Sequence, residues 1–373
     1  MANPTSQPAP TADAPQASTI PTVSLPSLSS ADAAVRESAQ RELLRGFRDL
    51  GLVFLSDTGF DTERLERLYA GFLSFTQWED ARKRALARAD LWYQRGWTPP
   101  NTEVATASTG QPDFKECFFA ACLEADPQAA RLYPELYAEN VWPEGLADFE
   151  ANYEGVARDL QNVGEALLGA CEHALSLPAD TLVRGVSGGP HVTRLLRYLP
   201  VSAKNLADGV LWGENHTDFN ALTLLPGGRF LDPSAAFCEP PSDGGGLYLT
   251  LRGKDDGGTL QRIRGRAPRG CVIAQVGQQL EVLTGGHLWA TPHEIEAPAT
   301  PGYSRLSCAH FVHLNPRETL FPIAPYDDEA AQAAYRPPVL AGTYDLKTLV
   351  DIGLAPTSAL DRLGYGNGER LKG

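Results

Sequence analysis

Long apolar runs are absent: no stretch of the sequence approaches the roughly 18 uninterrupted residues that a membrane-crossing helix needs. Basic clusters are absent too, and 46 acidic side chains against 32 basic ones leave a formal net charge of −14. That balance argues against a nucleic-acid partner, whose phosphates require clustered lysine and arginine, and against docking on an anionic membrane surface. The first residues hold no cationic segment followed by an apolar one, so no secretory signal is expected. No cysteines have CxxC spacing, and six in 373 residues do not make a disulfide scaffold. Cys117, Cys122, Cys171, Cys238, Cys271 and Cys308 read as small buried hydrophobes in a reducing, cytoplasmic setting. No period of about 20–50 residues recurs, which argues against solenoids and propellers. What is present is ordinary globular material, 43% hydrophobic and 21% charged, enough to bury a sizeable core. The expected partner is a small molecule, and the expected state is a monomer.

Residues 1–19, rich in Pro, Ala, Ser and Thr without apolar periodicity, are expected to form a disordered tail. Order is expected to begin at Ile20-Pro21-Thr22-Val23, on a sheet edge. Ser29 or Ser30 is the expected cap of a helix through Leu43, Leu44 and Phe47 that stops at Gly51. Residues 52–55 read as a buried strand, and Asp61 as the cap of a second helix through Leu65, Leu68, Tyr69 and Phe72. The stretch 92–115, with Gly96, Pro99, Pro100 and Gly110, reads as loop. Apolar residues three and four apart between Pro143 and Leu175 predict a long helix backing a sheet. Beyond Pro178, short apolar runs at 192–198, 221–225, 246–251, 271–276, 288–295 and 303–314, separated by Gly and Pro, predict an antiparallel sandwich or barrel.

The chemistry centres on His216-Thr217-Asp218. In extended backbone, residues two apart share a face, so His216 and Asp218 can offer an imidazole and a carboxylate to one point. Those are two members of a facial triad for non-haem iron(II). Alone, the tripeptide reads equally well as a surface histidine beside a turn aspartate. His293, in the run 288–295, can supply the third ligand, with His287 as its rival. If the chain makes a hairpin about Ala299 and Thr300, Arg305 and Ser307 fall beside His293, and Pro292 implies an edge or a bulge. A guanidinium fork with a hydroxyl suits a carboxylate. The plainer alternative for Arg305 is an ion pair with Glu294 or Glu296. His310 and His313 read as structural.

In order, these residues give HxD, then H, then RxS, and the chain resembles the iron(II)- and 2-oxoglutarate-dependent dioxygenases of the isopenicillin N synthase-like superfamily. The strand His216 to Leu225 is close to the family's HTD…LTLL, and Gly277 to Thr284 is similar to the segment before its distal histidine. Ile20-Pro21-Thr22-Val23, with Phe47, Gly51 and Phe54, resembles its N-terminal region; Gly96 to Glu103 with Asp113-Phe114-Lys115-Glu116 resembles its GY-x-P…D-x-KE stretch.

The resemblance implies an α+β fold: a double-stranded β-helix (jelly-roll) core, a helix-rich N-terminal region and a long backing helix. It divides the chain into the tail 1–19, an N-terminal dioxygenase region 20–150, and a catalytic core with C-terminal extension 151–373 that forms one unit with 20–150. His216, Asp218 and His293 would be the metal ligands and catalytic residues. Arg305, Ser307 and Tyr198 would bind cofactor, with Tyr198 touching either cosubstrate or substrate. The implied cofactors are Fe(II), 2-oxoglutarate and O2, and the implied reaction is hydroxylation or desaturation of a small organic molecule with release of succinate and CO2. The alternatives are an isopenicillin N synthase-like oxidase that works without 2-oxoglutarate, and an inactive jelly-roll binding protein. Two departures stand out. The segment 226–262 is enlarged, as a loop or added hairpin over the site, and Gly277 is followed by Gln278 where the family has an aspartate. Trp92, Tyr93, Trp97 and Phe114 are the expected substrate-side aromatics.

Overall fold

The computed structural model of the chain describes residues 20–102, 114–210, 212–242, 244–254 and 260–363. The expected tail 1–19, and Glu103 and Asp113 of the motif stretch, lie outside them.

Helix α1, Ala33–Asp49, is capped by Asp32, whose carboxylate accepts from the Ala34 and Val35 N–H groups at 2.9 and 3.4 Å. The expected caps are therefore displaced. Pro26–Ser29 form a 3-10 turn of their own, and the Ser30 hydroxyl accepts the Asp32 N–H instead. Gly51 follows α1 in the left-handed region at φ 72°, as expected of a helix stop. Helix α2, Thr62–Thr76, is capped by Asp61. Helix α3, Phe149–Ala174, is the long backing helix, starting six residues later than its apolar pattern. Helices α4, Gln278–Leu283, and α5, Ala341–Asp351, complete the set needed below.

The strands in chain order are β1 Thr22–Ser24, β2 Leu52–Ser56, β3 Gly96–Thr98, β4 Lys115–Ala120, β5 Val192–Tyr198, β6 Gly213–His216 and β7 Leu222–Leu225. They continue as β8 Gly228–Leu231, β9 Phe237–Cys238, β10 Gly244–Lys254, β11 Leu260–Arg264, β12 Val272–Val276, β13 His293–Pro298 and β14 Ser304–Val312. One sheet runs β1-β2-β12-β7-β14-β5-β4-β3, with β8 also on β14 and β9 on β8; the other runs β11-β10-β13-β6. All of these pairings are antiparallel except β1 with β2, where β1 is the sheet edge. Within the expected loop, residues 96–98 instead extend the large sheet by pairing with β4.

Strand alternation separates two cores. On β5, Leu195 faces the helices, while Leu196 and Tyr198 face the space between the sheets. Helix α3 lies across the large sheet, burying Tyr153, Val156, Leu160, Val163 and Leu167. At Gly164 a Cβ would stand 3.1 Å from Val312 and 3.2 Å from Leu224, so glycine lets the helix approach β7 and β14 closely. The Tyr153 hydroxyl lies 2.5 Å from the Thr193 carbonyl and 3.1 Å from the Ala120 N–H, tying α3 to β4 and β5.

The expected hairpin between His293 and Arg305 does not form. Strand β13 lies in the small sheet between β10 and β6, whereas β14 lies in the large one between β5 and both β7 and β8. The chain crosses between layers at residues 299–303, as jelly-roll connectivity requires, so local turn geometry does not set this pairing. Residues 288–292 are not strand; Pro292 sits just ahead of β13, and the ladder shifts register between His293 and Ile295. Arg305 is accordingly far from the pairing suggested with Glu294 and Glu296, both of which bind Arg262 instead, at 2.5 and 2.8 Å. The enlarged segment 226–262 contributes the β8–β9 hairpin, all of β10 and the start of β11.

Candidate active site

The open ends of the sandwich surround a cavity of about 750 Å³ between the two sheets. His216 ends β6 and Asp218 follows it, just beyond the strand, while His293 begins β13. His216 and His293 are partners in the β6–β13 ladder. The Nε2 atoms of His216 and His293 stand 3.7 and 3.8 Å from Asp218 Oδ1, and one ligand atom from each residue falls within 4.8 Å of the other two. His287, the rival, lies in the turn after α4, with its ring 5.0 Å from that of Tyr326, outside this group.

Each donor is oriented by a neighbour. His216 Nδ1–H donates to the Glu214 carbonyl at 2.7 Å, which leaves Nε2 as a lone-pair donor. His293 Nδ1 lies 3.2 Å from the Thr291 carbonyl and 2.7 Å from the Gln275 amide. A carbonyl only accepts, so Nδ1 of His293 carries the proton, and a Gln275 amide turned with Oε1 toward it also satisfies that otherwise unpartnered buried oxygen. Asp218 Oδ2 accepts from the Thr223 hydroxyl at 2.7 Å, leaving Oδ1 toward the histidines. Burial, and then the His216 beside it, push His293 down to about 4, so its imidazole is neutral near pH 7. Two imidazole nitrogens and one carboxylate, with outer partners fixing each, fit a divalent transition metal and suit iron(II).

The facing wall belongs to the large sheet. Arg305 and Ser307 point into the cavity from β14, where Arg305 pairs across with Tyr198 and Ser307 with Leu196. The Arg305 guanidinium lies 5.5 Å from the Tyr198 ring centre and 6.0 Å from that of Phe230, and its buried Nη1 has no hydrogen-bond partner among the described residues. Gly228 on β8 backs it: a Cβ there would stand 2.6 Å from Arg305 Nη2 and 2.8 Å from the Leu306 carbonyl. Burial pushes the Tyr198 phenol up, so it stays a neutral donor. An unpartnered buried guanidinium nitrogen beside a buried hydroxyl fits a carboxylate.

The expected substrate-side aromatics are not in the cavity lining. Trp97 is fully buried in the core, with its indole N–H on Glu116 at 2.9 Å, and Trp92 packs in a separate cluster with the C-terminal helix. Strand alternation explains the difference: Trp97 faces the helices rather than the interior of the sandwich. Tyr69, Tyr198, Phe230 and Phe311 line the cavity instead. Gln275, Thr223 and Gly228 carry supporting roles that their motifs did not suggest. A lone amide in the apolar run Val272-Ile273-Ala274-Gln275-Val276 was the available signal for the first.

The family model for the N-terminal region of non-haem dioxygenases in morphine synthesis matches residues 20–145, and the model of the 2OG-Fe(II) oxygenase superfamily matches residues 193–314. A 2-oxoglutarate-dependent dioxygenase, frbA, from a Dothideomycetidae species is 25% identical over 284 residues, which are 74% of this chain and 79% of that one. A 2-oxoglutarate-dependent ethylene/succinate-forming enzyme of Ralstonia nicotianae is 27% identical over 203 residues, half of this chain and 54% of that one. Among solved structures, a Caulobacter crescentus protein assigned to the 2OG-Fe(II) oxygenase family superposes with a TM-score of 0.70 at 25% identity, covering 90% of this chain and all of that one. A full-length Neurospora crassa protein crystallised with alpha-KG gives 0.69 at 18% identity over 89% of this chain and 96% of that one, a likeness of fold. These relatives do not favour an oxidase independent of 2-oxoglutarate or an inactive binding protein. With the two family models spanning about two thirds of its length, the chain belongs to the 2OG-Fe(II) oxygenase superfamily, as a 2-oxoglutarate-dependent dioxygenase with a jelly-roll core.

Proposed function

We propose that His216, Asp218 and His293 hold Fe(II), and that Arg305 and Ser307 grip the far carboxylate of 2-oxoglutarate with Tyr198 beside them. The observation that carries this reading is the pairing of a convergent His-Asp-His set with a buried Arg305 nitrogen that has no hydrogen-bond partner among the described residues, in one cavity. With Fe(II), 2-oxoglutarate and O2 bound, the cofactors would supply the oxidising power to hydroxylate a small organic substrate at one carbon, or to desaturate it across two adjacent carbons, with release of succinate and CO2. The chain's own share is positional. Thr223 fixes the Asp218 carboxylate, Gln275 and Glu214 hold the Nδ1 edges of the two imidazoles, and Gly228 leaves room for the Arg305 guanidinium.

The reading extends to a small-molecule substrate and to a monomeric cytoplasmic enzyme in which 20–150 and 151–373 act as one unit. Pairing of β4 with β5 within one sheet supports that last point. The six cysteines, all free thiols, fit a reducing compartment. Among the described residues no helix is long and apolar enough to cross a membrane.

The deciding experiment follows succinate release from 2-oxoglutarate alongside anaerobic Fe(II) binding in wild type, Asp218→Ala and His293→Ala. Both variants are expected to lose both signals while keeping the wild-type circular dichroism. Undiminished Fe(II) binding in either would remove that residue from the ligand set.

A further inference from the structure

Strands β7 and β8 lie end to end on the same edge of β14. Leu222 and Leu224 are opposite Val312 and His310, whereas Gly228 and Leu231 are opposite Ser307 and Ser304. Between those two registers Leu225, Pro226 and Gly227 face only Cys308 and Ala309, three residues against two, which is a β-bulge. The bulge controls register: a slip by one residue would take Gly228 away from Ser307 and turn that stretch of strand over. Gly228 is the residue whose missing side chain leaves room for Arg305, since a Cβ there would stand 2.6 Å from Arg305 Nη2. Gly227, inside the bulge, adopts φ 108°, a conformation open chiefly to glycine.

One side chain from the N-terminal region reaches this bulge. Tyr69 on α2 is fully buried in the helix-side core with Leu306 and Cys308 of β14, and it also lines the cavity. Its hydroxyl donates to the Gly227 carbonyl at 2.5 Å. The carbonyl it holds belongs to the peptide unit that leads directly into Gly228. Burial keeps the Tyr69 phenol well above its ordinary value, so it stays a neutral donor, and Arg305 is among the charges near enough to act on it. With its proton committed to Gly227, the phenol acts through the backbone of the wall. Helix α2 is tied to β8 a second time, one turn away, where Glu66 meets Arg229 at 3.1 Å. That pair is partly exposed and lies outside the bulge.

We propose that Tyr69 is a positioning residue for the cosubstrate: by holding the Pro226–Gly227 bulge it fixes the Gly228 wall that aims Arg305, so a side chain of the N-terminal region sets the affinity for 2-oxoglutarate. The proposal rests on the assignment of Arg305 to the far carboxylate made above. A guanidinium grips a carboxylate through directed hydrogen bonds, so a small displacement of the wall costs affinity without removing any charge. The metal ligands lie on the other sheet or beyond its end, on β6, β13 and the turn after β6, and the bulge does not touch them.

The test compares wild type with Tyr69→Phe, which removes only the hydroxyl, by anaerobic titration of Fe(II) and then of 2-oxoglutarate into the Fe(II)-loaded enzyme. Loss of one neutral hydrogen bond at the bulge is expected to weaken 2-oxoglutarate by roughly 2–10-fold and to leave Fe(II) affinity at its wild-type value. Gly227→Ala puts a Cβ into open space but forces alanine to φ 108°, and it is expected to weaken 2-oxoglutarate with Tyr69 intact. Glu66→Gln cuts the other tie of α2 and is expected to change neither constant. In a Gly228→Ala background, where the guanidinium is already displaced, Tyr69→Phe is expected to add less than its effect alone. Wild-type affinity for 2-oxoglutarate in Tyr69→Phe or in Gly227→Ala overturns the proposal. So does an equal loss of Fe(II) affinity in Tyr69→Phe, or an equal loss in Glu66→Gln, since either marks a general loosening of α2. Full additivity with Gly228→Ala overturns it too, because the phenol then acts elsewhere than on the wall. An Arg305→Gln enzyme that binds 2-oxoglutarate like wild type is a different failure: it removes the underlying assignment of Arg305, whatever Tyr69→Phe shows.

Discussion

His216 and His293 face one another as partners in the ladder between β6 and β13, their ring centres 4.3 Å apart. The two imidazoles that converge on Asp218 are thus set by backbone pairing in the small sheet, with a register shift just after His293. Only Asp218 lies outside a strand, and it is held at two points: its Oδ2 accepts from the Thr223 hydroxyl, and its backbone carbonyl accepts from the Gln278 N–H at 2.8 Å. A site built on ladder partners needs little further ordering to take a metal.

Gln275 is expected to matter for metal affinity although it cannot reach the metal position itself. Its amide is 2.7 Å from His293 Nδ1, and replacing it with leucine leaves that N–H to the more distant Thr291 carbonyl alone. Outer partners of metal-bound histidines are typically worth about 10–100-fold in affinity. Gln275→Leu is expected to weaken Fe(II) binding within that range in anaerobic titration, with secondary structure retained. Unchanged affinity would show that Thr291 alone orients the ring.

Arg305 can be tested from its own side chain and from its neighbour. Charge-assisted hydrogen bonds contribute about 1.5–3 kcal/mol each, so Arg305→Gln is expected to raise the KM for 2-oxoglutarate by roughly 10–150-fold. Gly228→Ala puts a Cβ 2.6 Å from Arg305 Nη2 and 2.8 Å from a backbone carbonyl. The guanidinium has to move, and the same KM is expected to rise without any change to a charged group. A Gly228→Ala enzyme with wild-type KM would mean that the wall yields instead of the arginine.

That His216, Asp218 and His293 come together, with Arg305 and Ser307 lining the same cavity, was legible because the types and order of these residues are chemical. The sheet that carries each of them was not. Nothing local in residues 293–307 says that the chain leaves one sheet for the other between them; that follows from both layers burying their inner faces at once. The aromatics failed for a related reason. Trp97 sits in a Gly- and Pro-rich stretch that reads as a loop, yet three residues of it add a strand to the large sheet, and the alternation of that strand turns the indole away from the cavity. Gln275 and Gly228 act through contacts across neighbouring elements, which composition and spacing do not record.

The C-terminal helix reaches the HxD turn through hydrogen bonds. The Tyr344 hydroxyl on α5 donates to Gln278 Oε1, and Gln278 Nε2 donates to the Thr217 hydroxyl, between His216 and Asp218. Removing the phenol oxygen deletes one neutral bond, worth about 0.5–1.5 kcal/mol, or roughly 2–10-fold. Tyr344→Phe is expected to weaken Fe(II) binding by that factor while leaving the KM for 2-oxoglutarate near wild type, since Arg305 lies on the opposite sheet. Equal losses in both constants would point to a general loosening of the fold.

Acid stability tests the histidines that the site does not use. His310 is buried between Thr193 and Gln161, its Nδ1 accepting from the Thr193 hydroxyl at 2.8 Å and its Nε2–H donating to Gln161 Oε1 at 2.9 Å. Burial, with His313 nearby, pushes it down to about 3, and burial with His310 beside it pushes His191 well below the usual imidazole range. In the unfolded chain each titrates near 6.5, so between that pH and the folded value the unfolded state binds the extra proton. Their contribution is therefore complete above about pH 6.5 and declines as the pH falls, with a limiting slope on the order of 1.4 kcal/mol per pH unit for each histidine. Urea midpoints measured from pH 7 to pH 4.5 are expected to drop accordingly, above the range in which most carboxylates protonate. Glutamine at position 310 can keep both a donor and an acceptor but cannot titrate, so His310→Gln is expected to start lower at pH 7 and fall less steeply. Parallel curves for variant and wild type would mean that the buried imidazole already carries its proton in the folded state, contrary to the hydrogen bonds that surround it.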